Sequence, residues 1–341
     1  TVQYAENPPK KYQDVLPVNF ETEDWPNLWR ELKRVLLHWV NQGVFMFRVD
    51  NPHTKAFAFW EWVIAEIQRD YPQVIFLSEA FTRPRVMERL TKIGFTQTYT
   101  YYTWRNTADE LKQYMQELTQ TELREFYRPN FWPNTPDINP YILQNGGEAA
   151  HITRVVMAAT MSSNYGLYGP VYEFGIATPV TGKEEYLDSE KYEIKHWDWG
   201  KLTKIREVIT LINKIRKVNP ALQTTWNIHF GDTDNPQLLC YAKWSDDFKN
   251  KMLIVVNLDP HHTQAGWVKV PLWKLGMQAG QQYQMHDLLT ERKFTWTDEW
   301  NYVELRPHEM PVHVFRIEVA APGMGHDNLD DTWLPEHHTN E

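Results

Sequence analysis

Two short apolar runs decide the fold: VFMFRVD at residues 44–50 and VIFLSE at residues 74–79. Each has the length and the content of β-branched and aromatic residues that are typical of a buried strand. Between them, residues 57–67 carry apolar side chains at spacings of three and four, which predicts a helix. A strand, a helix and a second strand in this order predict two parallel neighbours in one sheet.

The same alternation continues on both sides of this unit. We expect five strands, near residues 44, 74, 95, 125 and 165, with the third running over 95–102 and an extended segment over 124–131. Helices are predicted by apolar spacing at 25–40, 57–67, 85–93, 108–118, 148–161 and 201–218.

The pattern changes near residue 221, where eight short alternating segments with turns between them begin. Such a series predicts an antiparallel β-sandwich. We therefore expect a first domain over 1–221, a β-sandwich domain over 222–320 and a tail over 321–341. The long polar stretch 170–199 in the first domain has a length that favours a functional loop.

Charge and composition exclude several classes of partner. The chain of 341 residues has a net charge of −9 and no basic cluster, which argues against nucleic acid or an anionic membrane as partner. The longest apolar runs, such as 252–256, are too short to span a bilayer, and residues 1–4 lack the features of a signal peptide. A single cysteine, Cys240, excludes an intrachain disulfide, so we expect a cytoplasmic protein.

Acidic residues end both of the first two strands. Asp50 and Glu79 are 29 residues apart, about one βα unit, so a parallel barrel would bring both to the same rim. Asp137, within NTPD at 134–137, follows the fourth strand. An Asp after a strand often caps a helix, and this alternative stays open for Asp50, whereas a Glu has no comparable capping role.

Paired carboxylates at this spacing suit a retaining glycosidase, in which one attacks the anomeric carbon and the other protonates the leaving oxygen. Arg48 lies two residues before Asp50 on the same strand face, where its charge would keep Asp50 ionised. An ordinary buried ion pair is the alternative for Arg48.

The motifs at these strand ends resemble those of the α-amylase superfamily, glycoside hydrolase family 13. The resemblance is carried by GVFMFRVD at 43–50, FLSE at 76–79 and NTPD at 134–137, although Pro136 stands where the common amylase pattern has His. A narrower resemblance, to the bacterial α-1,4-glucan:maltose-1-phosphate maltosyltransferases, covers essentially the whole chain. It rests on VDNPHTK at 49–55, SEAFTRP at 78–84, YTYYTWR at 99–105 and EEYLDSEKY at 184–192.

This resemblance implies an incomplete (β/α)8 TIM barrel of about strands 4–8, followed by the β-sandwich. It also implies Asp50 as nucleophile, Glu79 as general acid/base and Asp137 as stabiliser of the transition state. The donor maltose would meet Lys191 and Tyr192. By the same resemblance, the phosphate group would be bound by Asn7, Lys10, Tyr12 and Asn51.

The implied reaction moves maltosyl units from α-maltose 1-phosphate to the non-reducing end of α-1,4-glucan. A sugar-phosphate enzyme needs an anion site beside its leaving group, and Lys, Asn and Tyr supply a charge and donors. On sequence alone, NPPKKY at 7–12 would be a stiff solvated loop, and Lys191 and Tyr192 would be surface residues. The resemblance implies a homodimer for the full-length protein, and we expect no cofactor and no metal.

Two other functions stay open. The first is an α-glucan hydrolase or a trehalose-forming relative. The second is an inactive glucan-binding fragment, because the strand-4 motif arrives only 43 residues into the chain and the barrel would be open there, with an exposed edge.

Overall fold

A computed structural model describes residues 16–190 and 193–319 of the chain. The predicted contacts of Asn7, Lys10 and Tyr12, those of Lys191 and Tyr192, and the predicted tail lie outside the described residues.

The first half of the chain is built around a parallel sheet, as predicted. Its five strands lie in sequence order, so each strand pairs with its neighbours along the chain. They are β1 (Met46–Asp50), β2 (Ile75–Glu79), β3 (Gln97–Tyr99), β4 (Pro129–Phe131) and β5 (Asn164–Tyr165).

Two segments are shorter as strands than the sequence suggested. The prediction of a strand over 95–102 is wrong beyond Tyr99, because the chain turns into a 3₁₀ helix at Tyr101–Trp104. That turn buries Tyr102, whose ring stacks on Phe131 at 4.5 Å. The prediction of extended structure over 124–131 is wrong in its first half, where Leu123–Phe126 is a helical turn.

The expectation that β1 is a buried strand is also wrong. β1 lies at the end of the sheet, and no strand of the described residues pairs with its outer side. Its first residue, Met46, is 59% exposed, and Phe45 before it is 42% exposed. The apolar run therefore has the composition of an interior strand but an edge position.

Helices connect the strands and cover the sheet. The most buried one is α6, which bends at Gly147, where φ is +57° and a side chain would be strained. Among the described residues, no helix has both the length and the apolar character needed to cross a bilayer. The helices are α1 (Trp25–Asn41), α2 (Phe57–Asp70), α3 (Pro84–Lys92), α4 (Ala108–Gln120), α5 (Leu123–Phe126), α6 (Tyr141–Met161), α7 (Gly169–Glu173) and α8 (Lys204–Val218).

The C-terminal region is antiparallel, as predicted. Six strands form one sheet in the order β11-β10-β13-β8-β7-β6, and β9 pairs with β12 in a two-stranded sheet. The strands are β6 (Ile228–Gly231), β7 (Leu238–Trp244), β8 (Lys251–Asn257), β9 (Gln264–Lys269), β10 (Tyr283–Asp287), β11 (Lys293–Trp296), β12 (Trp300–Leu305) and β13 (Val312–Val319).

One apolar core joins the two regions. It contains α6 and α8 side chains together with side chains from β7, β8 and β13. A buried hydrogen bond of 2.6 Å between the hydroxyl groups of Thr160 and Tyr241 crosses the same junction. The antiparallel sheet thus packs on the helices that support β4 and β5.

Candidate active site

Asp50 and Glu79 stand opposite each other at the ends of β1 and β2. Their Cα atoms are register partners in the parallel ladder, so the two side chains leave the sheet on the same face. Neighbouring strands lie about 4.8 Å apart. That spacing suits a retaining carboxylate pair, for which the carboxyl groups lie about 5–5.5 Å apart.

Arg48 brings a third carboxylate into the same cluster. Its guanidinium approaches Asp50 Oδ2 at 3.6 Å, Glu79 Oε1 at 3.3 Å and Asp137 Oδ2 at 3.2 Å. Asp137 lies 87 residues after Asp50 in the sequence. Only the fold makes these three acids neighbours.

Glu79 and Asp50 occupy different environments. Glu79 is 5% exposed, whereas the side chain of Asp50 is 62% exposed. Burial raises the pKa of Glu79 to about 7, with a further rise from Asp50, although Arg48 opposes both effects. A carboxyl group that still holds its proton near neutral pH can act as a general acid.

The capping alternative for Asp50 is not supported. The N-cap residue of the 3₁₀ turn Pro52–Thr54 is Asn51, and the N-cap residue of α2 is Ala56, so Asp50 is at neither position. Neither helix start has a side-chain cap hydrogen bond. Asn51 adopts the left-handed conformation, with φ of 46°, and its backbone N–H lies 3.4 Å from Glu79 Oε2.

The sequence did not single out Tyr99, which ends β3 beside the carboxylates. Its ring is 1% exposed and stacks on Trp132 at 4.6 Å. Burial raises the pKa of its hydroxyl, while the charge of Arg48 opposes the rise. Tyr99 thus packs next to Arg48 in the site. In the sequence, the motif at 99–105 was the feature that could have identified it.

The loop that carries Asp137 is held by Asn134. The buried Asn134 amide donates to Tyr168 O at 3.2 Å and to the Tyr186 hydroxyl at 2.8 Å, and the Tyr168 N–H donates back to Asn134 Oδ1 at 2.9 Å. This small network joins the loop after β4 to the loops that follow β5.

The long polar stretch predicted to be functional packs against the same rim. Glu184 accepts a hydrogen bond from the Trp104 indole at 3.0 Å and another from the Tyr141 N–H at 3.2 Å. Glu190 accepts one from the Trp197 indole at 2.8 Å. Within the described residues, no group of three or more His, Cys, Asp or Glu side chains is arranged to hold a metal ion.

Comparison with known proteins identifies the relatives of this chain. The family described as "GLGE, C-terminal" matches residues 230–317. The α-1,4-glucan:maltose-1-phosphate maltosyltransferase of Chlorobaculum tepidum is 55% identical over 327 residues, which is 94% of this chain and 49% of that protein. The enzyme of the same name from Methylacidiphilum infernorum is 54% identical over 318 residues, 93% of this chain and 48% of that protein.

The chain is homologous to the C-terminal portion of these maltosyltransferases. It spans about half the length of the curated relatives it matches. The resemblance predicted from the strand-end motifs is therefore confirmed.

Among solved structures, this chain is similar in fold to α-amylases. The α-amylase of Anoxybacillus superposes with a TM-score of 0.66 at 13% sequence identity, over 89% of this chain and 65% of that one. At such identity the likeness concerns the fold alone, and it confirms the α-amylase fold class.

Proposed function

We propose that the full-length protein transfers maltosyl units from α-maltose 1-phosphate to the non-reducing end of α-1,4-glucan, with retention of configuration and release of phosphate. One observation carries the proposal: Arg48 gathers the three acids Asp50, Glu79 and Asp137. These acids lie in a chain that is 55% identical to a named maltosyltransferase.

The chemistry runs in two displacements. The exposed carboxylate of Asp50 attacks the anomeric carbon, the bond from that carbon to the phosphate oxygen breaks, and Glu79 gives its proton to the leaving phosphate. Glu79, now ionised, then takes the proton of an acceptor hydroxyl, which attacks the same carbon and displaces Asp50. The negative charge of Asp137 favours the oxocarbenium-like transition states.

The burial difference between the two acids supports this division of roles. The nucleophile has to be ionised at neutral pH and the acid protonated, and the environments of Asp50 and Glu79 differ in that direction. Asn51, Asn7, Lys10 and Tyr12 would bind the phosphate group, and Lys191 with Tyr192 would bind the donor maltose.

We further propose that residues 1–221 are the C-terminal part of a (β/α)8 barrel and that 222–320 form a β-sandwich domain. Among the described residues no strand pairs with the outer side of β1, which supports this proposal, because further barrel strands would have to pair there. We place the enzyme in the cytoplasm as a homodimer.

The test is phosphate release. Full-length natural protein, given α-maltose 1-phosphate and a maltooligosaccharide, should release one phosphate for each pair of glucose units added to the acceptor. Asp50→Ala should abolish both signals. Free maltose with an unchanged acceptor would point instead to the hydrolase alternative. Trehalose as the product would point to the trehalose-forming alternative.

The inactive-fragment alternative has its own support in the exposed apolar residues at the edge of β1. It predicts that the 341-residue chain by itself releases no phosphate. Turnover by that chain at the rate of the full-length protein would remove this alternative.

A further inference from the structure

Lys55 is a cation tied to the turn that follows the proposed nucleophile. Its ammonium donates a hydrogen bond of 2.6 Å to Thr54 Oγ1, and the Thr54 hydroxyl donates in turn to Asn51 O at 2.8 Å. The backbone N–H of Lys55 also donates a hydrogen bond of 3.1 Å to Pro52 O, which closes the turn. The ammonium is thereby held beside Asn51, one residue from Asp50.

The turn itself is fixed by the core. The buried Trp60 indole N–H donates to Pro52 O at 3.0 Å, and Pro52 is buried. Trp60 belongs to the apolar cluster between α2 and β2. The backbone from which the Lys55 side chain extends is therefore fixed by buried packing, which favours a binding role for that side chain.

The charge of Lys55 is only partly compensated. Burial lowers the pKa of its half-buried ammonium, while Asp50 acts in the opposite direction. In the part of the chain that the structure describes, Lys55 forms no salt bridge, whereas Arg48 contacts three carboxylates. An anion that arrives beside Lys55 would stabilise its charged form.

A phosphate group faces an electrostatic problem in this site. The carboxylates of Asp50 and Asp137 repel it, and the guanidinium of Arg48 is already shared between them and Glu79. Phosphate departure also increases negative charge on the leaving oxygens, so a fixed cation there lowers the barrier. An ammonium is a point charge that can serve several phosphate oxygens.

We propose that Lys55 binds the phosphate of the donor and stabilises it as it leaves, next to Asn51. This inference rests on the proposed function and adds a residue to its anion site. Lys55 acts on the leaving group and has no part in the attack by the acceptor.

The experiment compares two donors in the full-length protein: α-maltose 1-phosphate, and α-maltosyl fluoride, which carries no charge. For Lys55→Met, kcat/KM with the phosphate donor should fall on the order of 10- to 100-fold, as expected for loss of a charged hydrogen bond. Transfer from the fluoride should stay within about threefold of the unmodified protein, and inhibition of that transfer by inorganic phosphate should weaken on the order of tenfold.

Lys214→Met is the matched control, since Lys214 is exposed on α8. It should change neither reaction. Transfer from the fluoride also reports that Lys55→Met is folded with a working Asp50 and Glu79.

Two results would overturn the role of Lys55. Equal losses with both donors would mean that Lys55 supports the nucleophile turn, and unchanged kinetics with both would mean that it does not meet phosphate. If the unmodified protein used the fluoride but never the phosphate donor, the proposed function would fail, and the role of Lys55 with it.

Discussion

At the scale of single residues, the environment of Glu79 controls the pH at which the site works. Burial raises the pKa of this carboxyl to about 7, so the acid form is available at neutral pH. Between about pH 4.5, the pKa of this carboxyl in model peptides, and about pH 7, the folded state therefore holds a proton that the unfolded state has lost. The contribution of Glu79 to the free energy of unfolding therefore falls as pH rises through that window.

The first prediction concerns this carboxyl. In the full-length protein, kcat/KM for α-maltose 1-phosphate should decline above about pH 7, because donor cleavage needs protonated Glu79. Glu79→Gln should reduce turnover by about 10²–10⁴-fold and remove that limb of the profile. Thermal unfolding of Glu79→Gln should be less sensitive to pH between 4.5 and 7 than that of the unmodified protein.

Glu61→Gln is the control, because Glu61 is exposed on α2 and lies 3.9 Å from Arg89, which is also exposed. It should leave both the profile and the unfolding curve unchanged. A profile without a limb near pH 7 in the unmodified protein would contradict the role assigned to Glu79.

At the scale of elements, loops that leave different strands are joined by single side chains. Asn134 makes three hydrogen bonds that connect the Asp137 loop to Tyr168 and Tyr186. The strands themselves are short at this end, three residues in β4 and two in β5. The position of Asp137 therefore depends more on the loop network than on the sheet.

The second prediction tests this dependence. Asn134→Ala should lower the free energy of unfolding by about 2–3 kcal/mol, because buried partners lose their hydrogen bonds. It should also reduce transfer while leaving Asp50 and Glu79 intact. Tyr186→Phe removes only the 2.8 Å bond, so both losses should be smaller in denaturant melts and initial-rate assays. Equal effects from the two variants would argue against a central role for Asn134.

At the scale of the whole molecule, the exposed apolar edge is the dominant feature. Met46 on the edge strand is 59% exposed, Phe45 just before it is 42% exposed, and Trp39 near the end of α1 is 51% exposed. An unpaired strand with apolar side chains is a template for association with other chains.

The third prediction follows for the 341-residue chain produced by itself. It should self-associate at micromolar concentration, and Met46→Lys should reduce this association by placing a charge on the edge. Light scattering of the two proteins is the measurement. Trp273→Lys is the control, because Trp273 is 66% exposed on the antiparallel region and should not alter association through β1. A monodisperse monomer for the unmodified chain would contradict the prediction.

The sequence by itself determined the order of elements and the change from parallel to antiparallel structure, and it singled out the three acids as candidates. These follow from local patterns, since apolar period and turn residues act over a few positions, and strand-end acids at one βα spacing share a rim. The family resemblance also came from contiguous motifs such as 49–55 and 78–84.

Tertiary structure alone decided where β3 ends, how exposed the side chains of β1 are, and which environment surrounds each acid. Tyr102 leaves the strand pattern because its ring packs on Phe131, which lies far along the chain. Likewise the pKa of Glu79 and the sharing of Arg48 depend on burial and on charges brought in from distant strands. Local patterns contain no such information, because desolvation and charge contacts are set by the packing of residues remote in sequence.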